Sequence, residues 1–167
     1  DRLGEPHFEI RQARDLEKPL DRLIIPGGES TVMRRLLHDL DLFDALRARI
    51  TEGMPVFGTC AGLILLAKQV DGGVPCFATM DIAVKRNAYG RQLGSFHTKA
   101  EFKDLGLVPM SFIRAPYVES VSDGVEILSV VDDHIVGVRY GNQVAIAFHP
   151  ELDSDRKIHQ MFLDMIS

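Results

Sequence analysis

The sequence predicts an α/β domain with a mainly parallel central sheet and an antiparallel extension. In the first half, short apolar runs typical of strands alternate with segments of helical spacing, as in βαβ units. In the second half, three β-rich runs separated by turn residues follow one another, which favours antiparallel hairpins. With 167 residues, 46% of them hydrophobic, the chain can bury a core. We expect residues 1–167 to form a single domain.

The first half contains two predicted strand–helix units. In order they comprise a strand at 22–26, helices at 32–40 and 41–50, a strand at 54–58 and a helix from 61 to about 69. Ser30 or Thr31 is expected to cap the first of these helices, and Asp41 the second. Strand and helix thus alternate along the chain, which indicates parallel strands.

The second half is predicted to be mainly antiparallel. Its β-rich runs lie at 125–131, 134–140 and 143–149. Asp132-Asp133 and Gly141-Asn142 separate them and suit hairpin turns. An amphipathic helix is expected at 155–166, since its apolar residues recur on one face.

Composition argues against two classes of partner. The net charge is −5, and the 19 basic residues are scattered, whereas a nucleic-acid surface would show a basic stripe. No apolar run reaches the roughly 18 residues of a membrane span. The first ten residues are mixed and charged, unlike a secretory signal peptide. We therefore expect a cytoplasmic protein that binds neither nucleic acid nor membrane.

Two cysteines, Cys60 and Cys76, bear on metal binding and redox state. Neither a CxxC spacing nor a Cys/His cluster is present, so no metal site is expected. A disulfide between the two is conceivable, but free thiols in a cytosolic chain are the expectation.

The segment Gly58-Thr59-Cys60-Ala61-Gly62 has the form G-x-C-x-G between a predicted strand and a predicted helix. This is the cysteine form of the nucleophile elbow, a tight turn that needs small flanking residues. The helix N-terminus there favours the thiolate, and the next N–H can donate to an oxyanion. The alternative is a buried structural cysteine, which is common and is our interpretation of Cys76.

His149 is the candidate base for such a nucleophile. It ends the apolar run "VAIAF" and precedes Pro150, which biases it towards extended geometry. In an extended segment residues two apart point the same way, so Glu151 can orient the imidazole. The alternative is a strand-end histidine beside a helix-start glutamate, and His97, in a polar strand, is the reserve candidate.

The loop "PGGEST" at 26–31 follows the first predicted strand. Its two glycines before a capped helix allow backbone N–H groups to face a ligand. It lacks the lysine of a P-loop, and a tight turn followed by a cap is the alternative interpretation.

Together, "PGGEST", "GTCAG" and "FHPEL" resemble the triad-type (class I) glutamine amidotransferases, which have a three-layer flavodoxin-like fold. The closer resemblance is to the glutaminase subunits of pyridoxal 5′-phosphate synthase. "GGESTVMRRLL", "FGTCAGLILLAK", "VKRNAYGRQ", "SFIRAP" and "FHPEL" occur in that family's order between about residues 23 and 166. Five such segments in order are far more specific than any one of them.

The resemblance implies a role for each matching residue. Cys60 attacks the side-chain amide of L-glutamine, His149 transfers protons, and Glu151 orients His149. The backbone of Gly28 and Ala61 forms the oxyanion hole. Residues that hold glutamine are Gly28, Glu29, Ser30, Arg86, Ile113 and Arg114. No cofactor is implied.

The resemblance also implies a partner and a missing segment. Ammonia passes to a separate synthase chain, a (βα)₈ barrel, within a hetero-oligomer. Family members begin with a strand and a helix that are absent before Asp1, and we expect the natural protein to contain them.

Two rival functions remain. One is the glutaminase of another synthase, such as imidazole glycerol phosphate synthase, which shares the triad; "GGEST", "RNAYGRQ" and "FIRAP" argue against it. The other is a non-catalytic binding module of the same fold, which intact Cys60, His149 and Glu151 oppose.

Overall fold

The computed structural model describes residues 3–86 and 95–165. In these ranges the α-helices are Ser30–Asp39 (α1), Phe43–Thr51 (α2), Ala61–Leu66 (α3) and Lys157–Leu163 (α4). Short 3₁₀ helices lie at Ala13–Glu17 and Pro150–Leu152. None of the helices in the described part of the chain has the length and apolar character needed to cross a bilayer.

The strands of the described residues follow in chain order. They are Leu23–Ile25 (β1), Val56–Thr59 (β2), Ala67–Asp71 (β3), Met80–Lys85 (β4), Phe96–Phe102 (β5), Gly106–Phe112 (β6), Tyr117–Val121 (β7), Glu126–Val131 (β8), His134–Tyr140 (β9) and Gln143–Ile146 (β10).

The main sheet has the order β1-β2-β10-β9-β7-β4-β3, with β8 paired to β9. The pairs β1–β2, β2–β10 and β3–β4 are parallel. The pairs that involve β7 or β9 are antiparallel. Strands β5 and β6 form a separate antiparallel hairpin. This confirms the predicted α/β fold, in which a parallel part continues into antiparallel strands.

The third helix is shorter than predicted. It ends at Leu66, and Ala67 already starts β3, which pairs in parallel with Met80. Leu63 and Leu66 are fully buried. Pairing with β4 therefore overrides the helical propensity of the residues up to Gln69, because tertiary contacts outweigh local preference.

The predicted helix starts were wrong in detail. Glu29 caps α1, and its Oε2 accepts from the Val32 N–H at 2.7 Å, while Ser30 is already helical. Asp41 adopts φ +58° instead of capping α2. Helix α4 begins at Lys157, whose N–H donates to Asp155 Oδ1 at 2.8 Å, and the predicted end at Ile166 lies outside the described residues.

Two parallel strands at the centre of the core determine where the candidate site lies. All residues of β2 and β10 are buried. Thr59 at the end of β2 pairs with Ile146 at the end of β10. The residues that follow, Cys60 and Ala147–His149, therefore emerge at the same edge, because parallel strands share their carboxyl ends.

Candidate active site

Cys60 occupies a tight turn between β2 and α3. It adopts φ +52° and ψ −100°, which costs a non-glycine residue energy, and it is buried with 8% exposure. A Cβ on Gly58 would lie 2.8 Å from the Gly62 backbone, and one on Gly62 would lie 2.4 Å from the Ile25 carbonyl oxygen. The two glycines therefore let α3 approach both strands closely enough to make this turn.

Backbone hydrogen bonds fix the turn. The Cys60 N–H donates to the Ile146 carbonyl at 2.8 Å, and the Leu63 N–H donates to the Cys60 carbonyl at 3.1 Å. Ala61 is the first residue of α3, where N–H groups have no acceptor within the helix. The turn thus holds the thiol of Cys60 beside an N–H group that can donate to a bound anion.

His149 is held from three sides beside Cys60. Its N–H donates to the Ser111 carbonyl at 2.8 Å, and its Nδ1 donates to Glu151 Oε1 at 2.6 Å. A Cβ on Gly27 would lie 2.4 Å from His149 Cε1, so the imidazole packs directly on this glycine. These contacts leave Nε2 as the ring nitrogen that does not face Glu151.

The predicted pairing of His149 with Glu151 is present, but the backbone between them differs from the expected extended segment. Pro150–Leu152 is a 3₁₀ helix, and the Leu152 N–H donates to the His149 carbonyl at 3.2 Å. Proline suits the first position of a helix because its missing N–H is not needed there.

Electrostatics favour a charged imidazole at this site. Hydrogen bonds to the Cys60 side chain and to Glu151 raise the pKa of His149 to about 10, although burial opposes this. Burial would raise the pKa of the Glu151 carboxyl, but the hydrogen bond from His149 brings it below its ordinary value. Cys60, His149 and Glu151 therefore form one hydrogen-bonded chain, in which the imidazolium lies between the Cys60 side chain and the Glu151 carboxylate.

The loop 26–31 borders this chain of side chains. Gly27 contacts His149. Gly28 has φ +154°, and a Cβ added to it would lie 3.1 Å from Met33 Sδ. The Val32 N–H lowers the pKa of the Glu29 carboxyl, which keeps the cap ionised. Buried Ser30 follows in α1.

Arg86 reaches the same loop from the end of β4. Its guanidinium donates from Nη1 to Thr31 Oγ1 at 3.3 Å. The following residues of the predicted segment "VKRNAYGRQ", 87–92, lie outside the described residues.

Ile113 and Arg114 follow β6 and are exposed. Arg114 has φ +46°, and its N–H donates to Ser95 Oγ at 3.3 Å, which closes the start of β5 onto the end of β6. Ile113 and Arg114 lie two and three residues after Ser111, whose carbonyl accepts the His149 N–H.

The remaining candidates lie apart from Cys60. His97 Nε2 donates to Asp153 Oδ1 at 3.0 Å, which makes it a partner of a different carboxylate. Cys76 is buried, and burial raises the pKa of its thiol to about 11. Both cysteines are free thiols. Within residues 3–86 and 95–165, no group of three His, Cys, Asp or Glu side chains is placed to hold a metal ion.

Sequence reasoning missed three residues that shape the site. Gly27 supports the imidazole, Ser111 anchors the His149 backbone, and Asp153 binds the Ser111 hydroxyl at 3.1 Å. The double glycine of "PGGEST" was a signal for Gly27. Nothing local marks Ser111 or Asp153, whose contacts span 38 and 42 residues of chain.

The fold and this set of side chains are typical of α/β enzymes that use a cysteine nucleophile. The family model described as "SNO glutamine amidotransferase family" matches residues 2–167. The chain belongs to this family, which confirms the resemblance drawn from its motifs.

Proteins similar to this chain carry names more specific than the description of the family. A protein of Desulfitobacterium hafniense (strain Y51) named pyridoxal 5′-phosphate synthase subunit PdxT is 58% identical over 99% of this chain and 83% of its own length. One of that name from Methanocorpusculum labreanum is 54% identical over 100% of this chain and 88% of its own. A crystal structure titled as a glutamine amidotransferase superposes with a TM-score of 0.91 at 41% identity, covering 98% of this chain and 87% of that one.

Proposed function

We propose that the protein hydrolyses L-glutamine to L-glutamate and ammonia, and that the ammonia passes to a pyridoxal 5′-phosphate synthase subunit in vitamin B6 biosynthesis. One observation carries the catalytic part. A cysteine on a strained strand–helix turn is hydrogen-bonded to a histidine, which donates to a glutamate at 2.6 Å. This arrangement supports covalent catalysis of acyl transfer by Cys60.

In the first half-reaction the Cys60 sulfur attacks the side-chain amide carbon of glutamine. The C–N bond breaks as His149 donates its proton to the leaving nitrogen, which departs as ammonia. A thioester between Cys60 and the glutamyl group remains. The N–H groups of Ala61 and Gly28 stabilise the oxyanion of the tetrahedral intermediate.

In the second half-reaction water attacks the thioester carbon. His149, now neutral, takes a proton from this water, and the C–S bond breaks to release glutamate and the thiolate of Cys60. Glu151 holds the imidazole in one orientation and stabilises its positive charge in both steps.

Six residues are proposed to hold the glutamine: Gly28, Glu29, Ser30, Arg86, Ile113 and Arg114. Guanidinium groups suit the free α-carboxylate because they donate paired hydrogen bonds. The position of Arg86 next to the 26–31 loop supports this role. The glycines of that loop permit a peptide flip that turns the Gly28 N–H towards the oxyanion.

The partner is proposed to be a (βα)₈-barrel synthase chain in a hetero-oligomer. The shared name of the two relatives, a subunit of pyridoxal 5′-phosphate synthase, supports this partner over that of imidazole glycerol phosphate synthase. The reaction is proposed to occur in the cytoplasm, where a reduced Cys60 persists.

A coupled assay tests the proposal. The full chain is incubated with glutamine, alone and with a pyridoxal 5′-phosphate synthase barrel subunit, and glutamate is measured. We expect slow hydrolysis alone and strong activation by the partner, because unpartnered ammonia release wastes glutamine. Activation by an imidazole glycerol phosphate synthase subunit instead would favour the first rival. No turnover with either partner would favour the non-catalytic module.

A further inference from the structure

The β5–β6 hairpin is attached to the rest of the fold at both ends. At the turn end it is tied to β8: the Lys103 N–H donates to the Leu128 carbonyl at 2.8 Å, and Ser129 Oγ donates to the Glu101 carbonyl at 2.6 Å. Its open end lies against the segment that follows β10. Because the hairpin is not part of the main sheet, the contacts at the open end determine where the loop after β6 lies.

The carboxylate of Asp153 makes the contacts at that open end. His97 and Ser111 lie opposite each other across the hairpin. His97 Nε2 donates to Asp153 Oδ1 at 3.0 Å, and Ser111 Oγ donates to Oδ2 at 3.1 Å. One carboxylate thus binds both strands, and each of its oxygens accepts from a different strand.

Asp153 is also bound to the backbone of the short helix that follows His149. Its N–H donates to the Pro150 carbonyl at 3.2 Å, which places it at the end of the 3₁₀ helix that contains Glu151. Its side chain is only 13% exposed, and its hydrogen bond with Ser111 is partly buried. Ser111, which it binds, accepts the His149 N–H at 2.8 Å.

We propose that Asp153 is a positioning residue that couples the glutamine-binding loop at Ile113 and Arg114 to the pair of His149 and Glu151. The proposal rests on the proposed function, since that function assigns the loop to glutamine. An asparagine at position 153 has one acceptor oxygen, whereas the aspartate offers two to two donors. The strand that faces the amide group instead loses a carboxylate acceptor, so the loop at the end of β6 is held less firmly relative to His149, with the Ser111 carbonyl to His149 N–H bond as the remaining tie.

Steady-state kinetics with the synthase subunit present test this coupling. For Asp153→Asn we expect the KM for glutamine to rise about tenfold while kcat changes less than about threefold, because Gly27 and Glu151 still hold the imidazole. Asp164→Asn is the matched control, since Asp164 Oδ1 accepts from Gln160 Nε2 in the C-terminal helix rather than from the hairpin. An unchanged KM for Asp153→Asn, or an equal rise in the control, would overturn the proposal.

A double-mutant cycle tests whether Asp153 acts through Ser111. Ser111→Ala removes one of the two bonds and keeps the backbone carbonyl that binds His149. We expect the effects of Asp153→Asn and Ser111→Ala on KM to be less than multiplicative in the double variant, because both variants alter the same hydrogen bond between Ser111 and Asp153. Fully multiplicative effects would show that the residues act separately and contradict the coupling.

Amide hydrogen exchange tests the clamp without using activity. Asp153→Asn and Ser111→Ala are expected to speed exchange in β5 and β6, with β9 unchanged as the internal reference. Unchanged protection of the hairpin in both variants would overturn the proposal. If the unmodified protein fails to hydrolyse glutamine, the proposed function falls, whereas the exchange experiment still decides whether Asp153 anchors the hairpin.

Discussion

The two cysteines of this chain are almost equally buried, yet they occupy different chemical environments. Cys60 is 8% exposed and Cys76 is 9% exposed. Cys60 lies on a positive-φ turn and hydrogen-bonds to His149, whose pKa rises to about 10. Around Cys76, burial dominates and raises the pKa of the thiol to about 11. Exposure therefore does not distinguish the proposed nucleophile, Cys60, from a core cysteine, whereas backbone geometry and the neighbouring histidine do.

Replacing each cysteine gives the largest expected contrast. Cys60→Ala should reduce glutamine turnover by at least about 10⁴-fold, because no other group can form the thioester. Cys76→Ala should change turnover less than about twofold and lower the free energy of unfolding by about 1 kcal/mol. Glutaminase assays with the synthase subunit and denaturant unfolding measure both effects. Comparable activity losses in the two variants would remove the distinction.

Removing the base should have the next largest effect. His149→Asn is expected to lower kcat by about 10³- to 10⁴-fold, because the leaving ammonia loses its proton donor. His97→Asn is the matched control, since His97 binds Asp153 rather than Cys60. If the His97 variant lost more kcat than the His149 variant, the assigned base would be wrong.

The contact of Gly27 with the imidazole predicts an intermediate effect. An alanine Cβ would lie 2.4 Å from His149 Cε1, so the ring must move away. We expect Gly27→Ala to lower kcat about 100-fold, since a displacement of roughly 1 Å costs that much. Gly72→Ala is the control, because no heavy atom lies within 4 Å of the Cβ added there, and its φ of +82° adds a backbone strain that position 27 does not have. Full activity of the Gly27 variant would contradict the close packing.

The smallest effect concerns Glu151. Folding raises the pKa of His149 from 6.5 to about 10, so the imidazolium persists until the pH passes about 10. Its contribution to the stability of the fold is complete below about pH 6.5 and is lost as the pH rises from there to about 10. Glu151→Gln removes one cause of the elevation and should move the alkaline limb of kcat/KM to lower pH, with kcat down about tenfold. A pH profile of both proteins checks this; an unmoved limb would show that Glu151 does not set the pKa of His149.

The candidate site was predictable where its signals are local. Cys60 lies within a five-residue pattern, and His149 and Glu151 are two residues apart. The crowded glycines at 58 and 62 follow from the needs of a tight turn, and the structure shows the close approaches that require them. The catalytic roles themselves stay predictions, as does the single domain.

The middle of the chain was not predictable in the same way. Strands β3, β4 and β7 join the sheet through partners far along the chain, and local propensity does not encode such pairings. The same holds for Asp153, which is 56 residues from His97. The start of α1 was misplaced by one or two residues because Glu29, rather than a hydroxyl side chain, caps it.

Covalent labelling tests the central difference between the two cysteines most directly. The full chain, with the synthase subunit present, is treated with a glutamine-like diazo-ketone, and the modified peptide is identified by mass spectrometry. The electrophile should form one bond to Cys60, block hydrolysis in proportion to labelling, and leave Cys76 unmodified, with free glutamine protecting Cys60. Label on Cys76, or loss of activity with Cys60 unmodified, would contradict the assignment of Cys60 as the nucleophile.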